Sequence, residues 1–572
     1  MKRLIYFAIA ILVFTSCEDF LDTENLTEKN TTNFPANVED VEQAVIGIYN
    51  TLNTAVADPQ CTYFYAAELA SDDRFGGGGD NDKLMQAWDK IMNHGTDASR
   101  PFWKARYQGI FRANSVILSI EKMGLEGDEV NQLKGEAHFL RGFFYHELAE
   151  MYGEVPMPLN SDEAENLPNA PADSLYAQIG YDLVSAISLM KDVPYNETVA
   201  GHATKWAAEA LLARVYLFYT GYYNKDAMPL ADGSSLGKTD VVSYLEDCIA
   251  NSGHGLVGDF RNLWAYTNEY TLPDFDKMTG ETGVNGNDLN WSGDGNQESV
   301  FAIKFSNFAD WNTTIGYSNQ YLLHFGIRGG QPYGNTFPLG QGWGAGPVNP
   351  TLWETWEDAE PGDLRREASI MPVADLPDYS FGGWTMMEET DYWQMKSVHI
   401  SAKTGEVDGE GNPTYYSSFS VPMFGASDNF QLDGVNDLML IRFADVLLMH
   451  SELTATADKM NEVRARAGLD PVSYSLPALK RERRFELAFE GRRYADIRRW
   501  GDAPELLEGQ LGVKVYESGT PTVMKSFGGG YRARYEATGG FFPIPESEIA
   551  LSEGVLTQTP GYETASSNYT GW

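Results

Sequence analysis

The sequence predicts a mainly α-helical protein: a paired-helix scaffold interrupted by a large irregular insertion that contains short strands. Three observations carry this. Apolar residues recur at helical spacing from Val38 to Tyr223 and again from Val435 to Trp500. Small alanines alternate with bulky aromatics along those segments. Between Asp232 and Gly434 the periodicity gives way to Gly, Asn, Asp, Pro and Trp.

The first sixteen residues are a targeting signal and not a fold element. Met1-Lys2-Arg3 is a cationic start, Leu4 to Phe14 is an unbroken apolar run, and Thr15-Ser16 precede Cys17. The run is shorter than the roughly 20 residues that span a bilayer. A cysteine at the cut site marks a lipoprotein acylated at Cys17, each buried CH2 of its chains contributing about 0.8 kcal/mol to anchoring. Phe14 stands where a lipobox usually carries Leu. Residues 17–35, polar and rich in Asn and Thr, read as the lipidated tether, and 36–572 as one domain. Within it the helical scaffold occupies mainly 36–231 and 435–501, and the insertion about 232–434.

The helices follow from spacing. Val41, Ala44, Val45, Ile48 and Leu52 share one face, as do Tyr107, Ile110, Phe111, Asn114 and Ile117 between Trp103 and Met123. Gln132 to Tyr152 carries Ala137, Leu140, Phe144, Leu148 and Met151 and stops at Gly153, a C′ glycine. Ser174 to Met190 and Thr204 to Tyr223 repeat this character. In the insertion, "SVFAIKF" reads as an isolated strand. Helices are expected to return at Val435–Ala457, Lys459–Ala467 and Leu476–Trp500. In the last of these, Glu482, Glu486, Glu490 and Asp496 stand at helical spacing among the arginines, which predicts internal ion pairs and no ligand role.

Composition bounds the function. With 42 Lys and Arg against 81 Asp and Glu, the formal charge is −39. That leaves no basic face for nucleic acid. Cys61 and Cys248 are the only cysteines after Cys17, too few for a disulfide framework, though they could pair in an oxidising compartment.

The alternation in "GEAHFLRGFFYHELAEMYG" and "TKWAAEALLARVYLFYTGYY" resembles tetratricopeptide repeats. A longer ordered set resembles the SusD/RagB family of outer-membrane lipoproteins. It comprises "CEDFLD" at Cys17–Asp22, "AELASDD" at Ala67–Asp73 and "EAHFLRGFFYHELAEMYGEVPM" at Glu136–Met157. It continues with "ATKWAAEALLARVYL", "IRFADVLLMHSE", "NEVRARAGL", "ERRFELAFEGRRYADIRRWG" and "FPIPESEI". The resemblance implies a SusD-like, tetratricopeptide-like scaffold holding a ligand-binding insertion, the part that varies most in that family. It implies a non-catalytic protein, without a cofactor, that captures oligosaccharide (in some members peptide). The ligand is then handed to a SusC-like TonB-dependent transporter. Glu18 and Asp19 are similar to the family's surface-export signal, which implies a lipid-anchored, surface-exposed position on the outer membrane.

Sugar rings offer apolar C–H faces and polar edges, so a site needs exposed aromatics beside carboxylates, amides and Arg. Three segments supply them. Asp72, Asp73, Arg74, Asn81 and Trp88 flank the run Gly76–Gly79, which permits close ligand approach. Trp291, Trp311, Tyr317, Tyr321, Tyr333 and Trp343 stand among Gly and Asn. Arg365 and Arg366 come with Asp391, Tyr392 and Trp393, although Asp363 could occupy a guanidinium in a structural pair. Each group has a structural reading beside the functional one: helix capping by the aspartates, and burial of about half the tryptophans.

Other chemistries have weaker signals. Gly233-Ser234-Ser235-Leu236-Gly237 matches a nucleophile elbow, but it follows "AMPLAD" in an apparent insertion between helices and not the apolar strand that the mechanism requires. His138 and His146 lie on a core-like helix and form no H-E-x-x-H. Asp288, Asn290 and Asp294 approximate a calcium loop with Ser299 where Glu is needed, and an Asx-rich turn fits better. A peptide-binding member of the same family, a surface glycoside hydrolase and an adhesin are the alternatives.

Overall fold

The computed structural model describes residues 34–572 apart from 96, 161–165 and 312–314. The signal segment, Cys17, Glu18, Asp19 and the tether up to residue 33 lie outside the described residues. The long helices are α1 (Val38–Val56), α2 (Arg100–Met123), α3 (Asp128–Tyr152), α4 (Ala172–Leu189), α5 (Lys205–Tyr222) and α6 (Lys238–Asn251). From α2 to α6 each packs on its sequence neighbours, and α1 lies against α2 and α3. That is the stacking of a helical-repeat array. Among the described residues no helix is long and apolar enough to cross a membrane.

Small residues set the helix spacing. A Cβ on Gly109 of α2 would sit 2.4 Å from the Phe144 ring of α3, and one on Gly135 would sit 2.6 Å from Met190 after α4. Phe144 and Leu140 are fully buried at these seams. Thr204 caps α5 by accepting the Ala207 N–H, and α3 ends at Gly153 with φ 79°. His138 is core: its Nδ1 lies 2.8 Å from Asp182, which also binds Arg141. Cys61 and Cys248 are both buried and unpaired.

Three helical expectations are corrected. Helix α6 lies inside the 232–434 stretch expected to be irregular. Val435–Ala457 is not one helix: Leu438–Arg442 forms strand β2, antiparallel to β1 (Ser299–Ile303), before α7 (Phe443–Thr454). "SVFAIKF" is therefore paired and not isolated. Leu476–Trp500 divides into α8 (Leu476–Glu486) and α9 (Arg493–Arg499). Phe489 and Gly491 between them take left-handed φ of 67° and 71°, and the Gly491 N–H turns out to Glu68 Oε1 at 2.6 Å.

That break aims acids and bases at a buried ionic core. Glu486 accepts Arg365 at 2.9 Å, Arg442 at 2.9 Å and Arg466 at 2.5 Å; Glu490 accepts Arg442 and Lys396. Burial opposes the Glu486 charge, but Arg466, Arg442 and Arg365 outweigh it and hold the carboxyl well below its usual range. Asp496 pairs within the segment, with Arg483 and Arg499. The core ties the C-terminal helices to the insertion, since Arg365 and Lys396 come from the insertion.

Candidate ligand-binding site

The site is assembled by four loop segments. In the first, Gly76–Gly79 lies between residues 344–348 and the short helix Lys83–Asp89. Its bridges are Gly77 to Ala345 and Gly79 to Met386. A Cβ on Gly76 would sit 2.4 Å from Gln86 Cα, and one on Gly77 would sit 2.4 Å from Gly344 O. The glycines thus admit the chain's own backbone and not a ligand. What they present is the turn that follows: Asp80 and Asn81 are exposed, and Asp82 is half-buried.

The second and third segments supply two indoles. Trp384 stands at 44% exposure in a turn and lies across Gly329 and Gly330, where a Cβ would come within 2.3 Å and 2.8 Å of its ring. Trp343 is half-buried beside it, ring centroids 6.0 Å apart and planes inclined at 38°. From the fourth segment, Phe430 meets Trp343 edge-on at 5.8 Å. The backbone of Trp384 is left-handed, φ 44° and ψ 49°, and Thr385 follows at φ 55°. Bulky and β-branched residues rarely take that conformation, and it costs about 1–3 kcal/mol each.

Arg328 ties the platform to the acidic turn. Its Nη1 donates to Asp82 Oδ2 at 2.8 Å and to Trp343 O at 2.7 Å, and its Nη2 reaches Trp384 O at 3.3 Å. Thr385 Oγ1 donates to Asp80 Oδ1 at 3.1 Å. Two inclined aromatic faces are therefore rimmed by Asp80, Asn81, Asp82 and Arg328. Stacking on such faces contributes about 0.5–1.5 kcal/mol each beyond area burial. The rim can accept from and donate to hydroxyls.

Of the residues picked from sequence, Asn81 and Trp343 belong to this assembly. Tyr333 is half-buried nearby: burial first, then Asp433 and Asp428, raise its phenol, so it faces the 428–433 turn that carries Phe430. Trp291, Trp311 and Tyr317 form a second aromatic surface. Trp291 is half-buried, edge-on to Phe419 at 5.3 Å; Trp311 and Tyr317 are 53% and 42% exposed on a loop joined to Phe424 by Asn307.

The remaining picks are structural, a correction to the sequence reading. Asp72 binds Arg493 at 2.7 and 2.8 Å, and Asp73 binds Arg484 at 2.6 Å. Burial opposes the Asp72 charge, but Arg493 and Arg484 outweigh it and hold the carboxyl at about 2. Arg74 is buried between the Phe325 and Phe489 rings and bound to Glu68 and Gln394. Trp88 is 1% exposed, its indole N–H on Gln60 O. Arg365 is taken by Asp363, Glu482 and Glu486. Arg366 pairs with Glu357 and covers Trp353, on which Tyr392 stacks at 5.2 Å. Trp393 is buried, donating to Tyr379. Tyr321 is buried against Thr62.

The calcium candidates do not converge. Asp288 O and the Asn290 N–H are both bound by Asn262, while Asp294 Oδ1 accepts the Asp437 N–H. Among the described residues no three His, Cys, Asp or Glu side chains converge on a metal position. Ser235, which holds the nucleophile position of that motif, is exposed on a two-residue hairpin strand opposite Pro229, and Ser234 before it donates to Asp232.

Sequence reasoning missed Trp384, Arg328, Asp82 and Phe430. A signal was present in "FGGWT" and "IRGG", a tryptophan and an arginine each beside a glycine pair.

Comparison with known proteins places this geometry. A family model described as "Starch-binding associating with outer membrane" matches residues 19–217, and the SusD family model matches 286–562. SusD-like protein P2 of Formosa agariphila is 22% identical, over 98% of this chain and 100% of that protein. Among solved structures, a laminarin-binding SusD-like protein shares 24% identity, covering 92% of this chain and 99% of its own, at TM-score 0.67. Surface glycan-binding protein A from Bacteroides thetaiotaomicron, in complex with laminarihexaose, shares 22%, covering 91% and 99%, at 0.66. These likenesses establish the mainly α SusD-like fold. With the two family models together spanning most of the chain, the protein belongs to the SusD/RagB family.

Proposed function

We propose that this protein is a surface binding lipoprotein that captures oligosaccharides on the Trp343–Trp384 platform. It then delivers them to a SusC-like TonB-dependent outer-membrane transporter. The observation that carries the reading is the exposed, inclined pair of indoles beside a rim of Asp80, Asn81, Asp82 and Arg328. The same division of labour assigns ligand contact to the 232–434 insertion with the 79–82 turn, and support to the helices. The Cys17 signal supports a lipid anchor on the outer membrane, the compartment of the family. Relatives of the same fold named for binding laminarin or laminarihexaose make β-linked glucans the first ligands to try.

Calorimetric titration of the purified protein against laminarihexaose, maltohexaose, cellohexaose and a peptide panel, with product analysis of each mixture, tests this reading. Saturable binding of a glycan without product supports it. Binding of peptides alone, or hydrolysis at catalytic rates, would overturn it. For delivery, co-expression with a SusC-like transporter should give a co-purifying complex, and Cys17→Ala should release the protein expressed without that transporter from membranes.

A further inference from the structure

Beneath the platform, two consecutive carboxylates point in opposite directions. Glu388 has φ 51°, and this left-handed step sends its side chain to the acidic-turn side. There it accepts the N–H groups of Gly76 at 3.0 Å and Gly77 at 3.3 Å, Lys90 Nζ at 2.5 Å and the Trp572 indole N–H at 2.9 Å. Glu389, 1% exposed, turns the other way. Its Oε2 accepts the Gly382 N–H at 2.7 Å and its Oε1 accepts the Tyr379 hydroxyl at 2.6 Å; that hydroxyl in turn accepts the Trp393 indole N–H at 2.9 Å.

Gly382 opens the turn whose next residues include the left-handed Trp384 and Thr385. The C-terminal hairpin 514–523 closes the turn from below. The Ser518 N–H donates to Met386 O at 2.7 Å, the Tyr516 N–H donates to Glu389 O at 2.7 Å, and Phe381 stacks on Tyr516 at 4.1 Å. A backbone this strained persists only where its surroundings over-determine it. Among the described residues, the side-chain acceptor on the amides of the 382–385 turn is Glu389, at Gly382.

We propose that Glu389 is a positioning residue of the ligand platform: its buried carboxylate locks the 382–385 turn so that Trp384 faces the ligand beside Trp343. Glu388 does the matching work on the rim by fixing the glycine stretch that leads into Asp80–Asp82. The inference rests on the glycan-binding reading of that platform. Glu389 touches no ligand itself, so its effect is on the population of the competent turn, and affinity falls by the fraction of molecules that lose it.

The test uses the full chain and whichever glycan the wild type binds. Glu389→Ala is expected to weaken binding at least tenfold and to abolish hydrogen-exchange protection in the peptide containing Gly382. In Glu389→Gln one amide oxygen still accepts the Gly382 N–H and the amide N–H2 faces Tyr379 Oη, so affinity should stay within about threefold of wild type. Thr385→Gly relieves the left-handed strain and, added to Glu389→Ala, should recover most of the lost affinity. A variant that merely loosened the whole fold would not be repaired in this way. Should Glu389→Ala fail to fold, Glu389→Gln against Tyr379→Phe gives the same comparison, with Tyr379→Phe expected to weaken binding about threefold. Glu389→Ala with wild-type affinity, while Trp384→Ala abolishes it, would overturn the positioning role and leave the platform standing. Retention of binding in Trp384→Ala would instead overturn the platform reading.

Discussion

The arginine-rich core around 482–499 and the support of the Trp343–Trp384 platform both bury carboxylates, but they satisfy them differently. In the core each acid meets guanidiniums: Glu486 has three and Asp445 has two. Under the platform Glu389 meets a hydroxyl and a backbone N–H, and Asp433 is bound by Ser417. The consequence is opposite charge behaviour. In the core Arg466, Arg442 and Arg365 overcome burial and hold Glu486 well below its usual range, as Arg141 and His138 hold Asp182 at about 2 between α3 and α4. Burial dominates under the platform, raising Glu389 to about 7, Asp433 to about 8 and, with Glu388, Glu517 to about 8. The scaffold is charged and rigidly paired, while the site rests on acids close to neutrality. The strained turn thus rests on Glu389 and its raised carboxyl, while the neighbouring Glu388 is paired with Lys90.

The largest expected effect is in the core. Glu486→Ala strands three buried guanidiniums and should cost about 3–5 kcal/mol of stability by denaturant titration. A change under 1 kcal/mol would mean the ionic core is not what joins scaffold to insertion. Next is Trp384→Ala, which removes a central aromatic contact. It should cost about 2 kcal/mol or more of glycan binding, roughly thirtyfold, with little change in unfolding midpoint.

The pH response separates the two regions. Carboxyls held at about 2, such as Asp72 and Asp182, contribute stability that is present above the unfolded value of about 4 and lost as pH falls from about 4 to 2. Glu389, Asp433 and Glu517 have raised values, so their contribution is full below about 4 and lost as pH rises to about 8. Hydrogen exchange should therefore show the peptides at 380–390, 428–434 and 514–523 better protected at pH 5 than at pH 8. The α3–α4 peptides should open only below about pH 4. Parallel changes in both regions would erase the distinction. The smallest effect is expected from Trp311→Ala: the ring is exposed outside the platform, and glycan affinity should fall by less than about 1 kcal/mol. A larger loss would move the site to the 306–317 loop.

The two regions also differ in how far they could be read from sequence. Helices α1 to α5 were legible because core burial imposes a 3.6-residue period, and Gly153 marked the end of α3; α6 was not, because only Val241, Leu245 and Cys248 of its face are buried, a short signal inside a Gly- and Asp-rich stretch. The break in Leu476–Trp500 was not, because Glu490 and Gly491 leave the helix for partners at Arg442 and Glu68, far away in sequence. Around the candidate site, Asn81 and Trp343 could be picked because glycine-rich loops expose what they carry. Arg74 and Trp88 were misread for the same reason: whether a glycine run admits a ligand or the chain's own residues 344–348 depends on tertiary packing. Trp384 was missed because its exposure comes from a left-handed turn held by Glu389 and the 514–523 hairpin, which no local pattern encodes.

The central claim is that glycan stacks on Trp384 and Trp343. Titration of laminarihexaose, or the glycan found to bind best, into wild type, Trp384→Ala and Trp88→Ala tests it most directly, with folding checked by near-ultraviolet circular dichroism. Trp384→Ala is expected to lose binding at least thirtyfold in a folded protein, while any loss in Trp88→Ala tracks its lost stability. Wild-type affinity in folded Trp384→Ala would contradict it.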